Sequence, residues 1–451
     1  MVAGTGNSYL IGKSAANETP AFVNSSDRDP TNVPEKLCLN DQLLSRLSSA
    51  AAVTRSFLKS NDLFLPPSQY LRIESLVSSL PLAPSPSSTS ASTWFNRFLT
   101  SAVEDDDPRW YICFGMSRLT FFHLLSILSS SDSPSLRSSS LAATIFRLAH
   151  NAPYKSLLLR FGFDSVADAS RAFFTICKLI NEKLGQLDDP KPDFSPRLLP
   201  NCCGVLGFGR FKVDGKLLGS KGSLIVQAIV DSSGRFADIS AGWPSTMKPE
   251  AIFRQSKLFS VAESESESRS FLDGAHCELG KGISVAPYIL GDSRLPLLPW
   301  LMTPYDSSSL NEEEDSFETS RREFNNVVRS ALSTAEIAFD KVRARWRILD
   351  RKWKPETIEF LPFVITTCCL LHNFLVNSGD YELPEECVNE DVAGEMRKDE
   401  EDEEEEEEEE TKSSEGEAFT QSRRIRDAIA ENLSRVSWTK DELKVTSFSL
   451  F

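Results

Sequence analysis

From Cys203 onward the chain is written as short apolar runs, each closed by turn residues, followed by two long helical stretches. Few architectures accept that order. Val205 to Phe208, Leu224 to Val230 and Phe236 to Ala241 are strand-like, and Asp231-Ser232-Ser233-Gly234 joins the last two as a hairpin connection. A further strand, Tyr288 to Leu290, leads straight into Gly291-Asp292, and the polar run ESESESRS between them reads as a surface loop. Helices are expected from Arg321 to about Leu349 and from Pro355 to about Val376. Strand, hairpin, strand and flanking helices predict a mixed α/β sheet.

The upstream half has a different texture. Residues 1–93 are rich in Ser, Asn, Pro and Asp, which predicts a mostly disordered region with one short helix around Asp41 to Leu58. Order is expected to begin near Trp94. Ser117 has the chemistry of an N-cap for a helix carrying Leu119, Phe122, Leu125 and Leu128. Three more helices follow, over Leu141 to His150, Tyr154 to Phe161 and Ser165 to Leu184. The short link Phe161-Gly162-Phe163-Asp164 suits a helix-turn-helix whose last helix enters a DNA groove. That helix carries Arg171, Lys178 and Lys183 against Asp168 and Glu182, which is a poor phosphate-binding face, so an ordinary helical bundle stays open.

Charge matters here chiefly for where it lies. The formal net charge is −16, and Asp399 to Glu410 is an unbroken run of 12 acidic residues, which leaves about −4 for the remainder. Nine cysteines without a CxxC pair, and only four histidines, predict reduced thiols and speak against a zinc site or a disulfide framework. No basic-then-apolar signal pattern opens the chain. Leu361 to Val376 reads as too short for a membrane span and contains His372 and Asn373, so a soluble intracellular protein is expected. His372 with Cys368 and Cys369 is read as helix packing rather than a ligand cluster. After the acidic run, Ile425, Ile429, Leu433 and Val436 form one stripe of an amphipathic segment over Phe419 to Val436, a candidate partner-binding helix.

Asp292 is the residue that suggests chemistry. Two-metal hydrolysis of phosphodiesters needs hard oxygen donors, and a carboxylate at the end of an apolar strand supplies one. Glu336 is a second candidate, because Leu332, Ala335 and Phe339 share a helical face near it and point it inward beside the sheet; a solvated glutamate is the alternative. The place where a matching carboxylate would be expected in the first strand is taken by Gly207. Asp214 lies seven positions further, roughly 23 Å along an extended chain, and Asp214-Gly215 also reads as a turn. Lys341, Arg343, Arg345 and Arg347, with Trp346 and Trp353 interleaved, form the strongly cationic stretch and a candidate nucleic-acid-binding surface; a charged helix face paired with acidic residues is the alternative.

The phrases LPNCCGVL, LIVQAIVDSSGRFADISAGWPSTM, GDSRLPLLPWLMTPY, EFNN, AEIAFDKVRARWRIL and LPFVITTCCLLHNFL, in this order from about Trp94 to Ser378, resemble the PIF/Harbinger transposase family and especially its domesticated plant relatives. The resemblance implies a ribonuclease-H-like DDE domain over residues 199–378, preceded by a helical, helix-turn-helix-like domain over 94–190 and followed by an acidic segment over 379–418 and a helix and tail over 419–451. It assigns the second Asp to Asp292 and the final Glu to Glu336, and places the first Asp on Gly207, with Asp214 as the competing substitute. A divalent metal, Mg²⁺ or Mn²⁺, belongs to the ancestral site. The expectation is a catalytically impaired, nuclear, chromatin-associated regulator of gene or transposon silencing. Its expected partners are a Myb/SANT-like transposon-derived protein, a chromatin-modifying complex, and DNA and histones, with no membrane. An active metal-dependent DNA nuclease is the alternative.

Overall fold

The structure, a computed structural model, describes residues 33–80, 92–129, 137–185, 199–213, 222–264, 272, 274–279, 282–306, 316–350, 353, 355–380 and 417–448. Among the described residues, eight helices precede the sheet: α1 (Val33–Asn61), α2 (Pro67–Ser78), α3 (Trp94–Ser101), α4 (Pro108–Phe114), α5 (Arg118–Leu128), α6 (Ser138–His150), α7 (Tyr154–Phe161) and α8 (Val166–Leu184). Local chemistry sets several of their ends. The Ser117 and Ser165 hydroxyls accept from the Thr120 and Asp168 amides at 3.2 and 3.1 Å, capping α5 and α8 as their sequences predict. Gly162 ends α7 with φ +77°, a conformation that favours glycine.

The N-terminal expectation needs correction. α1 and α2 are regular helices, so order starts well before Trp94. α1 contains and extends the short helix expected around Asp41 to Leu58, whereas α2 was not expected. Asp62 forms a two-pronged ion pair with Arg97, at 2.6 and 3.0 Å, and the Arg160 guanidinium lies 3.9 Å from the Tyr70 ring centroid. The helical core is aromatic. Trp94, Phe95, Phe98, Trp110, Phe114, Phe121, Phe146 and Phe161 are all buried and meet mostly edge-on or tilted, with Trp94 and Phe98 stacked.

The sheet contains β1 (Cys202–Lys212), β2 (Ser223–Val230), β3 (Phe236–Pro244), β6 (Tyr288–Leu290) and β7 (Leu301–Met302), in the order β3-β2-β1-β6-β7. The first three are antiparallel neighbours, whereas β6 and β7 run parallel to β1. The hairpin between β2 and β3 is fixed by Asp231, whose Oδ1 accepts from the Ser233 and Arg235 amides at 2.8 and 2.9 Å. A small second sheet, β4 (Cys277–Leu279) with β5 (Ile283–Val285), and two short helices, α9 (Pro249–Gln255) and α10 (Lys257–Ala262), fill the crossover. One face of the sheet packs on α9 and α10 through Leu206, Ile229, Phe253 and Ile289. The other face is covered by α11 (Ser316–Arg345) and α12 (Leu361–Asn377), the latter entered through a 3₁₀ turn over Pro355–Phe360.

α12 corrects a second expectation. With the preceding turn it forms a 21-residue stretch, long and apolar enough to cross a membrane by length and composition. In the fold it is a core helix. Val364, Ile365, Cys368, Cys369, Leu371 and Leu375 are all buried, and it packs on β3 and α8. His372 belongs to that core, its Nε2 2.9 Å from the Gly234 carbonyl oxygen, so the packing reading of the His-Cys group holds.

α8 is therefore not a free recognition helix. One flank packs on α6 and α7, and another on α12, with Phe174 and Phe360 ring centroids 4.9 Å apart and Asn181 Nδ2 donating to the Phe363 carbonyl at 3.3 Å. Its exposed side pairs Arg171 with Asp168 and Lys178 with Glu182, leaving little surplus positive charge for a phosphate backbone. The helical region and the sheet consequently share one continuous hydrophobic core.

The last helix, α13 (Glu417–Phe448), lies along α11. Its stripe of Ile425, Ile429 and Leu433 is spent inside the chain, not displayed for a partner; the Val436 side chain lies outside the described residues. Arg426 stacks 4.0 Å from the Tyr305 ring centroid and donates to the Thr303 and Pro304 carbonyls at 3.1 Å. Tyr305 in turn donates its hydroxyl to Asp427 at 2.7 Å.

Candidate functional site

Asp292 follows β6 and starts a tight turn. Its carboxylate accepts from the Arg294 amide at 2.9 Å and from the Arg294 guanidinium at 2.6 and 3.1 Å. The strand delivers the carboxylate as expected, but a neighbouring cation already holds it.

Parallel pairing sets Val205 of β1 beside Leu290 of β6, and two residues further along come Gly207 and Asp292. Continued past its last pair, that register would set Gly207 near Asp292, and Gly207 lies on the face that α11 covers. A Cβ built on Gly207 would lie 2.5 Å from the Ala335 Cβ, inside any real carbon-carbon contact. Two residues on, a Cβ on Gly209 would lie 2.7 to 2.9 Å from the Phe339 ring. Neither glycine is held in a left-handed conformation, so both are required for space.

Glu336 follows directly from this seating. Successive helical side chains diverge by about 100°, so with Ala335 buried against β1 the Glu336 side chain turns away and is exposed, as is Ile337. The expectation that Glu336 points inward beside the sheet is corrected: the inward face is taken by buried Ala331, Ala335, Ala338, Phe339 and Val342. Asp214 lies outside the described residues. Among the described residues no three His, Cys, Asp or Glu side chains converge.

DDE endonucleases work with divalent cations, which need several oxygen donors around a small volume. The described residues do not fit a cation pair. One donor is engaged by Arg294, one is turned to solvent, and the strand position between them carries a glycine pressed against a helix methyl.

The cationic stretch is also corrected. Of Lys341, Arg343, Arg345 and Arg347, Lys341 alone is exposed. Arg345 is buried and donates to the carbonyls of Gly115 and, at 3.3 Å, of Asp380. Asp380 in turn accepts from the Ser117 amide at 2.8 Å, so Arg345 is part of a bolt between helical region and sheet. Arg343 pairs with Asp340 at 2.6 Å and lies over the Phe211 ring, and Arg347 is half-buried. Sequence gave these side chains charge but not direction. Arg345 is committed to the interior, so the four do not all face outward together.

Gly209, which the sequence reading passed over, and Ala335, which it named only as a neighbour of Glu336 on a helical face, define the site. The visible signal was the alternation Gly207-Phe208-Gly209 inside an apolar strand, since glycines two apart on one face mark a close approach by another element.

Burial governs the titratable groups nearby. Desolvation holds His372 down to about 4, opposed by its bond to the Gly234 carbonyl. Asp238 on β3 is raised by desolvation, with Lys257 acting the other way. Burial likewise raises the Cys202, Cys368 and Cys369 thiols, so none is a ready nucleophile.

Residues 218–373 match the DDE superfamily endonuclease family, a span that contains Asp292 and Glu336 and begins after β1. Over 213 residues the chain is 33% identical to the Protein ALP1-like of Arabidopsis thaliana, covering 45% of this chain and 50% of that protein. It is 32% identical over 193 residues to the Arabidopsis thaliana protein Antagonist of Like Heterochromatin Protein 1, covering 41% and 46%. It is 28% identical over 163 residues to the human Putative nuclease HARBI1, covering 35% and 38%. The chain thus spans about half, or less, of the length of these relatives. No solved structure matches it. Asp292 at its strand end thus lies in a segment that matches the DDE superfamily endonuclease family, and the chain is similar over part of its length to Harbinger-derived, nuclease-like proteins.

Proposed function

We propose that this chain is a domesticated Harbinger-type transposase whose cleavage chemistry is impaired and which serves as a nuclear, chromatin-associated regulator of gene or transposon silencing. The observation that carries this reading is the close approach of Ala335 to Gly207, two residues past the β1 residue that pairs with the last residue of β6. A hydrogen stands where a chelating side chain would complete the donor set, and in-line displacement between two cations loses its geometry. The name of one relative, an antagonist of a heterochromatin-type protein, supports a silencing-related role. The acidic run Asp399 to Glu410 supports contact with basic histone tails.

In this reading DNA contact comes from a Myb/SANT-like partner rather than from this chain. That division of labour agrees with the internal use of Arg345 and of α8. Affinity purification of the tagged chain from nuclei, with identification of co-purifying proteins, tests the proposal. Recovery of a Myb/SANT-like protein together with chromatin modifiers is expected. Recovery from a non-nuclear fraction, without any chromatin protein, contradicts it.

A second reading, an active nuclease using Asp292, Glu336 and Asp214 with Mg²⁺ or Mn²⁺, draws on the presence of the first two within the family match and on a relative named as a putative nuclease. It requires Glu336 to turn inward and Asp292 to leave Arg294.

A further inference from the structure

We infer that Gly207 and Gly209 form a slot that seats α11 against β1, so that the volume an acidic side chain would need at position 207 is occupied by the helix itself. This deepens the impaired-cleavage reading and rests on it. The site is closed by packing, not merely short of one carboxylate.

The geometry is specific. Gly207 and Gly209 are alternate residues of one strand and so point to the same face. Ala335 and Phe339 are one helical turn apart and point to the same side of α11. The two pairs mesh one to one, Ala335 on Gly207 and Phe339 on Gly209. The obstruction at 207 is a Cβ, fixed to the helix backbone, and cannot swing aside like the tip of a long side chain. The Phe339 ring is held as well: it is buried, with the Phe211 and Phe236 ring centroids at 6.3 and 5.2 Å. Moving from 2.5 Å to an ordinary contact would shift α11 away from the sheet by roughly an ångström, and close-packed cores resist such shifts. The same seating keeps Glu336 turned outward, so one contact accounts for both irregular positions of the triad.

The account separates from a simple missing-ligand account by substitution. Replacing glycine by alanine within a strand ordinarily raises stability. Here Gly207→Ala should instead lower the melting temperature of the full chain, by roughly 3–10 °C. Ala335→Gly removes the opposing methyl, so Gly207→Ala combined with Ala335→Gly should melt higher than the sum of the two single changes predicts. Gly207→Asp should lose at least as much as Gly207→Ala and should gain no Mn²⁺ site by titration calorimetry.

Gly207→Ala melting at or above the parent chain would overturn the inference. So would Gly207→Asp melting with the parent and binding Mn²⁺ stoichiometrically, although the impaired-cleavage reading would then survive. If the unmodified chain binds Mn²⁺ stoichiometrically and nicks DNA, the impaired-cleavage reading falls first and the packing inference with it. Should Gly207→Asp fail to fold, the alanine and glycine pair still decides the matter.

Discussion

Replacing Arg345 with alanine should unfasten the helical region from the sheet, and the size of the effect can be worked from its contacts. Its guanidinium, buried at 6% exposure, donates to the Gly115 and Asp380 carbonyls. Hydrogen bonds from a charged donor contribute about 1.5–3 kcal/mol each, and the longer one at 3.3 Å belongs at the low end. The aliphatic stem also packs against Gly115, where a built Cβ would lie 3.4 Å from Arg345 Cγ. Losing that packing costs about 1–2 kcal/mol more. The total is about 4–6.5 kcal/mol, overlapping the roughly 3–5 kcal/mol lost when one partner of a buried charged network is removed. Urea denaturation followed by tryptophan fluorescence measures it. Lys341→Ala, an exposed change on the same helix, should stay within about 0.5 kcal/mol of the parent. The reasoning is refuted if Arg345→Ala unfolds with the parent and loses only salt-sensitive affinity for duplex DNA, because Arg345 would then be a phosphate contact.

Three further outcomes follow from the geometry. His150 and His372 are held at about 4, chiefly by burial, against about 6.5 in an unfolded chain. Between those values the unfolded chain binds more protons, so stability should fall as pH drops from 6.5 towards 4 and then level, by about 3 kcal/mol per histidine; a urea midpoint equal at pH 7.5 and pH 5 contradicts this. Leu433→Ala should loosen α13 at a cost of about 2–5 kcal/mol, read as faster amide exchange along Glu417–Phe448 with the sheet unaffected; unchanged exchange in α13 would show that the helix is not held by its stripe. Arg294→Ala, by contrast, breaks a half-exposed ion pair with Asp292 and should change stability by no more than about 1 kcal/mol; a larger loss would mean that the turn, not the scaffold, depends on it.

Much of the sheet was legible because each strand is short, β-rich and closed by its own turn chemistry. The Asp231 hairpin and the serine caps at Ser117 and Ser165 are local devices, and local devices survive in a sequence. β7 escaped because it is two residues long and is recognised only by its partner β6. The full length of α1, and α2 altogether, escaped because serine-rich composition resembles a linker until Asp62 and Tyr70 find Arg97 and Arg160. At the site, Asp292 was placed correctly because strand ends are a local property. Glu336 and Arg345 were not, since periodicity marks which residues share a helix face but not which element that face meets. Gly207 was noticed as a vacancy, and the structure shows a filled seat: the neighbour that fills it, Ala335, lies 128 positions away in sequence.

The most direct test of the central claim is nicking of supercoiled DNA by the purified full-length chain with Mg²⁺ or Mn²⁺, alongside Asp292→Ala. The account predicts that both proteins leave the DNA at the level of a protein-free control. Metal-dependent nicking by the parent chain that disappears in Asp292→Ala would contradict it.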